Sequence, residues 1–262
     1  MRHSKGIGRL GGLALGLGIG AALAALAGTA AAEPVSPPDP NVAASLDAAA
    51  ASLGSAAADP FSASDLNVAI SIDGMTLVQD GSATATSGTG DLAIAFGADS
   101  QAIATGGTLD SAFADGVNSQ AQAVGGSFDS ATAVGANSFG EAYQGDLDSA
   151  TVFGSDSEAV AEFGNLDSAS AFGANSDAFA NIGNGDLASV VNTGSAEDLA
   201  IAGGTGSIAP GNFDIAAVVG TGSTALAGSD VTTPGDFDLA AALGDVLTAT
   251  ATGGSGLVDI LP

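Results

Sequence analysis

Past residue 9 the chain carries no cation. Arg2, Lys5, Arg9 and the single histidine, His3, account for every basic residue, and cysteine and tryptophan are missing throughout. Against them stand 29 carboxylates, for a formal net charge of −26. Phosphate contacts and anionic headgroups need cations, so nucleic acid and anionic membrane surfaces are excluded as partners of the body of the chain. Without histidine there is no ordinary Ser-His-Asp or Cys-His arrangement, and without lysine no Schiff base or Ser-Lys variant. Zinc and other borderline metals lose their usual ligands. Carboxylate-pair chemistry is the one mainstream route left. Asp-Thr-Gly and Asp-Ser-Gly do not occur, and Tyr143 is the only tyrosine, so an acid-pair polysaccharide hydrolase would lack aromatic platforms for its sugar. The expectation is a protein that is not an enzyme.

The leader explains where the cations went. Arg2, Lys5 and Arg9 precede an uncharged stretch, Gly11 to Gly28, and Ala30-Ala31-Ala32 follows as a small-residue cleavage site. Residues 1–32 therefore read as a signal peptide of a secreted or cell-surface protein; the other reading of the same run is a retained anchor. Cleavage before Glu33 would leave 29 carboxylates and no cation, a charge of −29. Stability must then come without disulfides. Positive mean hydropathy argues against a disordered acidic tail, and an internal repeat reconciles that with the 40 glycines.

The repeat is sharp. Asp91, Asp110, Asp129, Asp148, Asp167 and Asp186 are each 19 residues apart, and the units beginning at Asp186, Asp214 and Asp238 are longer, with insertions near Pro210-Gly211 and Pro234-Gly235. Within a unit such as DSATAVGANSFGEAYQGDL, alanine recurs at alternate positions in two short runs, each closed by glycine. That predicts two strands per coil and a parallel β-solenoid (a β-roll) of the all-β class. Five coils at about 4.8 Å give a rod section of about 24 Å. Asp115, Gln122, Glu141 and Glu162 alternate with the alanines and have no cation to pair with, so the alanine columns must face inward. Leu109, Phe128, Leu147 and Leu166 are expected to plug the end of that thin core. Ile94, Phe96, Phe113, Phe153 and Phe172 fall in outward columns. They form either a row for self-association or for a protein or cell-surface partner, or a seat for other segments of the chain.

The expected organisation is a signal peptide (1–32), a Pro/Ala-rich linker with a short helix (33–62), an N-terminal β cap (63–90), regular repeats (91–185) and degenerate repeats with loop insertions (186–262). Val42, Leu46, Ala49 and Leu53 carry the helix signal, with Asn41 at its cap. Leu66, Val68, Ile70 and Ile72 alternate, and Asp73-Gly74 reads as a tight turn into a second strand of a hairpin cap.

Two columns carry candidate chemistry. Asp91, Asp110, Asp129, Asp148 and Asp167 either bridge Ca²⁺ or cap the backbone of their own turns while solvent screens their charge; turn capping is preferred, since Ca²⁺ needs six to eight oxygens. Asp99, Asn118, Asn137, Asp156 and Asn175 suit left-handed turns and stacked amides. Gly204-x-Gly206 and Gly220-x-Gly222 mimic a phosphate-loop spacing but sit at repeat turns, without a βαβ context.

The half-units DSATAVGAN and NSQAQAVGG resemble the repeats in the β-roll heads of trimeric autotransporter adhesins, over residues 91–185, although no stalk or barrel pattern follows. The Asp and Gly spacing is also similar to calcium-binding nonapeptide β-rolls, whose Gly-Gly-x-Gly-x-Asp core is absent. In leader and Ala/Gly-rich composition the chain resembles exported repeat proteins of mycobacteria and relatives. These resemblances imply a secreted or envelope protein with a structural or adhesive role, with a calcium-responsive extracellular β-roll as the alternative.

Overall fold

The computed structural model describes residues 66–204, 211–228, 233 and 235–262. The leader, the Pro-rich segment and the helix expected between Pro40 and Pro60 lie outside them. The strands in chain order begin with β1 (Val68–Ile72), β2 (Met75–Asp80), β3 (Thr84–Ser87), β4 (Leu92–Phe96), β5 (Gln101–Thr105) and β6 (Ser111–Asp115). They continue with β7 (Gln120–Val124), β8 (Ser130–Val134), β9 (Phe139–Ala142), β10 (Gln144–Asp146), β11 (Ser149–Phe153) and β12 (Glu158–Ala161). Then come β13 (Phe163–Asn165), β14 (Ser168–Phe172), β15 (Ser176–Ala180), β16 (Gly183–Asn184), β17 (Leu187–Asn192) and β18 (Asp198–Ala202). The last are β19 (Gly211–Asn212), β20 (Ile215–Gly220), β21 (Thr224–Gly228), β22 (Leu239–Leu243), β23 (Thr248–Thr252) and β24 (Val258–Leu261).

These strands build the predicted solenoid. An 11-stranded front sheet runs β2-β1-β4-β6-β8-β11-β14-β17-β20-β22-β24, and a 9-stranded back sheet runs β23-β21-β18-β15-β12-β9-β7-β5-β3. From β4 onward each coil adds one parallel strand to the front sheet at unshifted register, for example Ser149↔Ser168 and Phe153↔Phe172. The longer units keep this register: Leu187 pairs with Ile215 and Ile215 with Leu239, so the added residues fall outside the paired front strands. Two short pairs, β10-β13 and β16-β19, form a third side absent from the predicted two-strand coil.

The alanine columns face inward as expected. Ala93, Ala95, Ala131, Ala133, Ala142 and their counterparts are buried, and Val152, Val190 and Val218 are the bulkiest apolar side chains fully enclosed. Small side chains let the two sheets lie close, so the core is thin and tolerates little change of volume. At the N-terminal end β1 and β2 form the expected hairpin, with Asp73 (φ 52) and Gly74 (φ 76) in the left-handed region of its turn. β1 also pairs antiparallel with β4 and so covers the first edge of the front sheet.

The expected core plugs are in the wrong place. Leu109, Phe128, Leu147 and Leu166 are exposed, at 57%, 55%, 53% and 59%. Each sits at a corner with φ between 64 and 66, where the left-handed backbone swings the side chain away from the core. Phe213 and Phe237 extend this outer ladder, at φ 60 and 61. The residue that closes the core at this corner is the next one, aspartate.

Candidate functional site

The aspartate column is buried. Asp91, Asp110, Asp129, Asp148, Asp167, Asp186, Asp214 and Asp238 are each at most 1% exposed, which overturns the expectation of solvent-screened turn caps. Period-2 alternation puts each Asp on the same side as the buried alanine two residues later and the buried alanine or valine four residues later. Their hydrogen bonds run chiefly to the next coil rather than to their own turns. Each Oδ1 accepts the backbone N–H of the aspartate one coil on, as in Asp110 N–H to Asp91 Oδ1 at 3.0 Å and Asp148 N–H to Asp129 Oδ1 at 2.9 Å. The ladder runs unbroken to Asp238, whose Oδ1 accepts the N–H of Leu257 at 2.6 Å.

Each Oδ2 is buried without a hydrogen-bond partner. It lies over the glycine three residues earlier, so that a Cβ at Gly145 would overlap Asp148 Oδ2 and the carbonyl of Gly164. Burial is the main cause that raises the carboxyls of Asp110, Asp129, Asp148, Asp167, Asp186, Asp214 and Asp238 above the ordinary range, with neighbouring carboxyls adding to it and backbone N–H groups opposing it. Asp129 and Asp186 are pushed up to about 6, Asp148 and Asp214 to about 7, and Asp167 to about 8. A protonated acid is the form this site favours. With Oδ1 committed and Oδ2 walled by glycine, one carboxyl per coil offers a cation few oxygens. Among the described residues no group of three or more acidic or histidine side chains is placed to hold a metal.

At the opposite corner Ser100, Ser119 and Ser138 are buried and donate to the glycine carbonyl three residues earlier. Outside that corner the second column behaves as expected. Asp99, Asn118, Asn137, Asp156 and Asn175 have φ between 53 and 57. Asn118 donates to Asn137 Oδ1 at 3.2 Å and Asn137 to Asp156 Oδ1 at 2.9 Å. A further ladder on the third side, Asp146, Asn165, Asn184, Asn212 and Asp236, was not expected. Its signal was the Asn or Asp two residues before each of the later column aspartates.

The phenylalanines do not form one row. Phe96 packs on Phe113 with ring centroids 6.0 Å apart, while Phe153 stacks on Phe172 at 5.6 Å, and Asp115 and Val134 separate the two pairs. Ile94 is covered, at 7% exposure, because Ile70 and Phe113 flank it across the register. Phe153 and Phe172 are exposed, at 46% and 38%, and begin a longer apolar column that continues with Val191, Val219 and Leu243.

The two broad faces differ in charge. From β8 to β24 every outward position of the front sheet is apolar or a hydroxyl; β20 presents Ile215, Ala217 and Val219, and β22 presents Leu239, Ala241 and Leu243. The back sheet carries Glu141, Glu158 and Asp177, and Glu162 follows one residue past β12. Burial first, and mutual repulsion second, raises Glu141, Glu158 and Asp177, the last to about 6. Beside them Asp156, Asn175, Asp177, Ser195 and Glu197 line an open polar depression. Comparison with protein-family models, curated proteins and solved structures finds no match.

Proposed function

We propose that the chain is a non-enzymatic structural or adhesive repeat protein, secreted or held in the cell envelope, that works by contact through its outer faces. One observation supports this above the rest: an acidic chain keeps the outward positions of β8 to β24 free of carboxylate and lines them with Phe153, Phe172, Val191, Val219 and Leu243. Exposed apolar area arranged in register is costly to leave in water and marks a contact surface. The buried acid ladder is assigned a structural part, since every Oδ1 joins one coil to the next.

Beads coated with the protein test this reading. They should adhere to one another or to a cell surface, and placing glutamate at Val219 and Leu243 should abolish that adhesion. Turnover of a polysaccharide that disappears on Glu158→Gln or Asp177→Asn would refute it in favour of a hydrolase, as would adhesion indifferent to the front-face changes.

A further inference from the structure

The contact reading leaves the partner open, and the front sheet narrows it. Parallel sheets are normally covered on both faces, and strands covered on both faces read as continuous apolar runs. β17 (LASVVN), β20 (IAAVVG) and β22 (LAAAL) read this way, yet only their alanine and inner valine sides are covered within the coil. Their outer sides expose Leu187, Val191, Ile215, Val219 and Leu243.

We propose that a second copy of this chain covers that face, front sheet against front sheet, about a twofold axis. The inference rests on the contact reading above and specifies its partner. Charge selects the occupant. A cationic partner would be drawn to the back sheet, where Glu141, Glu158 and Asp177 lie. Two copies of so acidic a chain repel except along a face without carboxylate, and β8 to β24 provide that face. Acidic groups lie at its margins: Asp156 and Asp245 at one corner, Asp146 and Asp236 at the other, giving an apolar centre inside a charged rim.

The size is sufficient. Strands of five residues rising about 3.3 Å each and stacked about 4.8 Å apart present roughly 500 Å² from β11 to β24. Including β8, the first strand of the carboxylate-free face, brings this to roughly 550 Å² per copy, about 1,100 Å² over the pair, which clears the ~1,000 Å² expected of a specific interface. The two sheets would meet about 10 Å apart, as stacked sheets do, and a closed twofold pair uses the same patch on both copies.

Light scattering on the full chain should give twice the 24.5 kDa chain mass. Because the rims repel, the dimer should tighten with added salt, the reverse of an ion-paired interface. Val219→Glu combined with Leu243→Glu should halve the mass while the β-sheet circular dichroism is kept, and Leu226→Glu on the back sheet should leave it unchanged. If the glutamate pair does not fold, Ala217→Cys serves in this cysteine-free chain. A negatively charged thiol reagent added after folding should then dissociate the pair, and a bismaleimide about 10 Å long should link two chains.

A single-chain mass at 100 µM in high salt overturns the proposal. With that mass, an unreactive Cys at position 217 would mean that another segment of the chain covers the face, and a reactive one that a different macromolecule does. A dimer that survives the glutamate pair overturns it equally. Bead adhesion separates the two failures: a monomer whose beads still adhere through the front face loses the dimer but keeps the contact function, while adhesion indifferent to that face removes both.

Discussion

Replacing Asp148 by asparagine should stabilise the solenoid at alkaline pH and do little at acid pH. Asp148 is buried, its Oδ1 accepts the Asp167 N–H at 3.0 Å, and its Oδ2 has no partner. Burial chiefly, then Asp129 and Asp146, pushes the carboxyl up to about 7, against the opposing N–H groups of Asp167 and Leu166. A folded-state value above the unfolded one means that the native chain holds its proton more tightly. The stabilisation is therefore fully present below about pH 4, the unfolded value, and is lost as pH rises through about 7. A displacement of about three units corresponds to ~4 kcal/mol at 1.36 kcal/mol per unit. Solvent just outside the corner screens part of this, and halving it gives ~2 kcal/mol.

Asparagine keeps the acceptor and stays neutral, so urea unfolding followed by circular dichroism should show a gain of ~2 kcal/mol at pH 8.5 and under ~1 kcal/mol of change at pH 5. Asp148→Ala leaves the Asp167 N–H buried and unpaired and should cost ~1–3 kcal/mol at both pH values. Asp115→Asn, at an exposed position, controls for the general relief of negative charge. The reasoning is refuted if the unsubstituted chain is more stable at pH 8.5 than at pH 5, or if the Asn and Ala variants lose stability equally and independently of pH.

Three further outcomes follow from the geometry. Gly145→Ala drives a Cβ into the Gly164 carbonyl and Asp148 Oδ2 and should abolish cooperative melting, whereas Gly256→Ala, with nothing within 4 Å and φ +72, should cost only ~1–2 kcal/mol of backbone strain. Leu166→Asn replaces an exposed side chain at φ 65 by a residue that tolerates this conformation, so denaturant midpoints should hold or rise; a loss of ~2–5 kcal/mol, typical of truncating a core leucine, would restore the plug assignment. Millimolar Ca²⁺ should leave the melting temperature where chelator leaves it, because Oδ1 is committed and Oδ2 walled; a Ca²⁺-dependent β spectrum would revive the calcium-responsive alternative.

Much of the fold was legible because a parallel solenoid is a local code. A 19-residue period and alternation of two placed the alanines inward, divided each coil into strands, and located the hairpin at Asp73-Gly74. The same alternation carried the burial of the aspartates, since Asp148, Ala150 and Val152 share a side of the chain. The expectation that an uncompensated acid stays in water outweighed that signal. Only stacking resolves the conflict, because the next coil supplies the N–H that Oδ1 needs and a glycine makes room for Oδ2.

The leucines and phenylalanines before each Asp show the converse. Their hydrophobicity pointed to the core, but side-chain direction follows φ at the corner, and a positive φ turned them outward. The contrast between the two faces likewise belongs to the assembled structure. Val191, Val219 and Leu243 are 28 and 24 residues apart in sequence, outside the strict period, and only the pairing of β17, β20 and β22 lines them up. Sequence by itself determined the period, the inward alanines and the absence of cations past residue 9. The tertiary structure decided which acids are buried and which apolar residues face out, because both depend on what the neighbouring coil places opposite them.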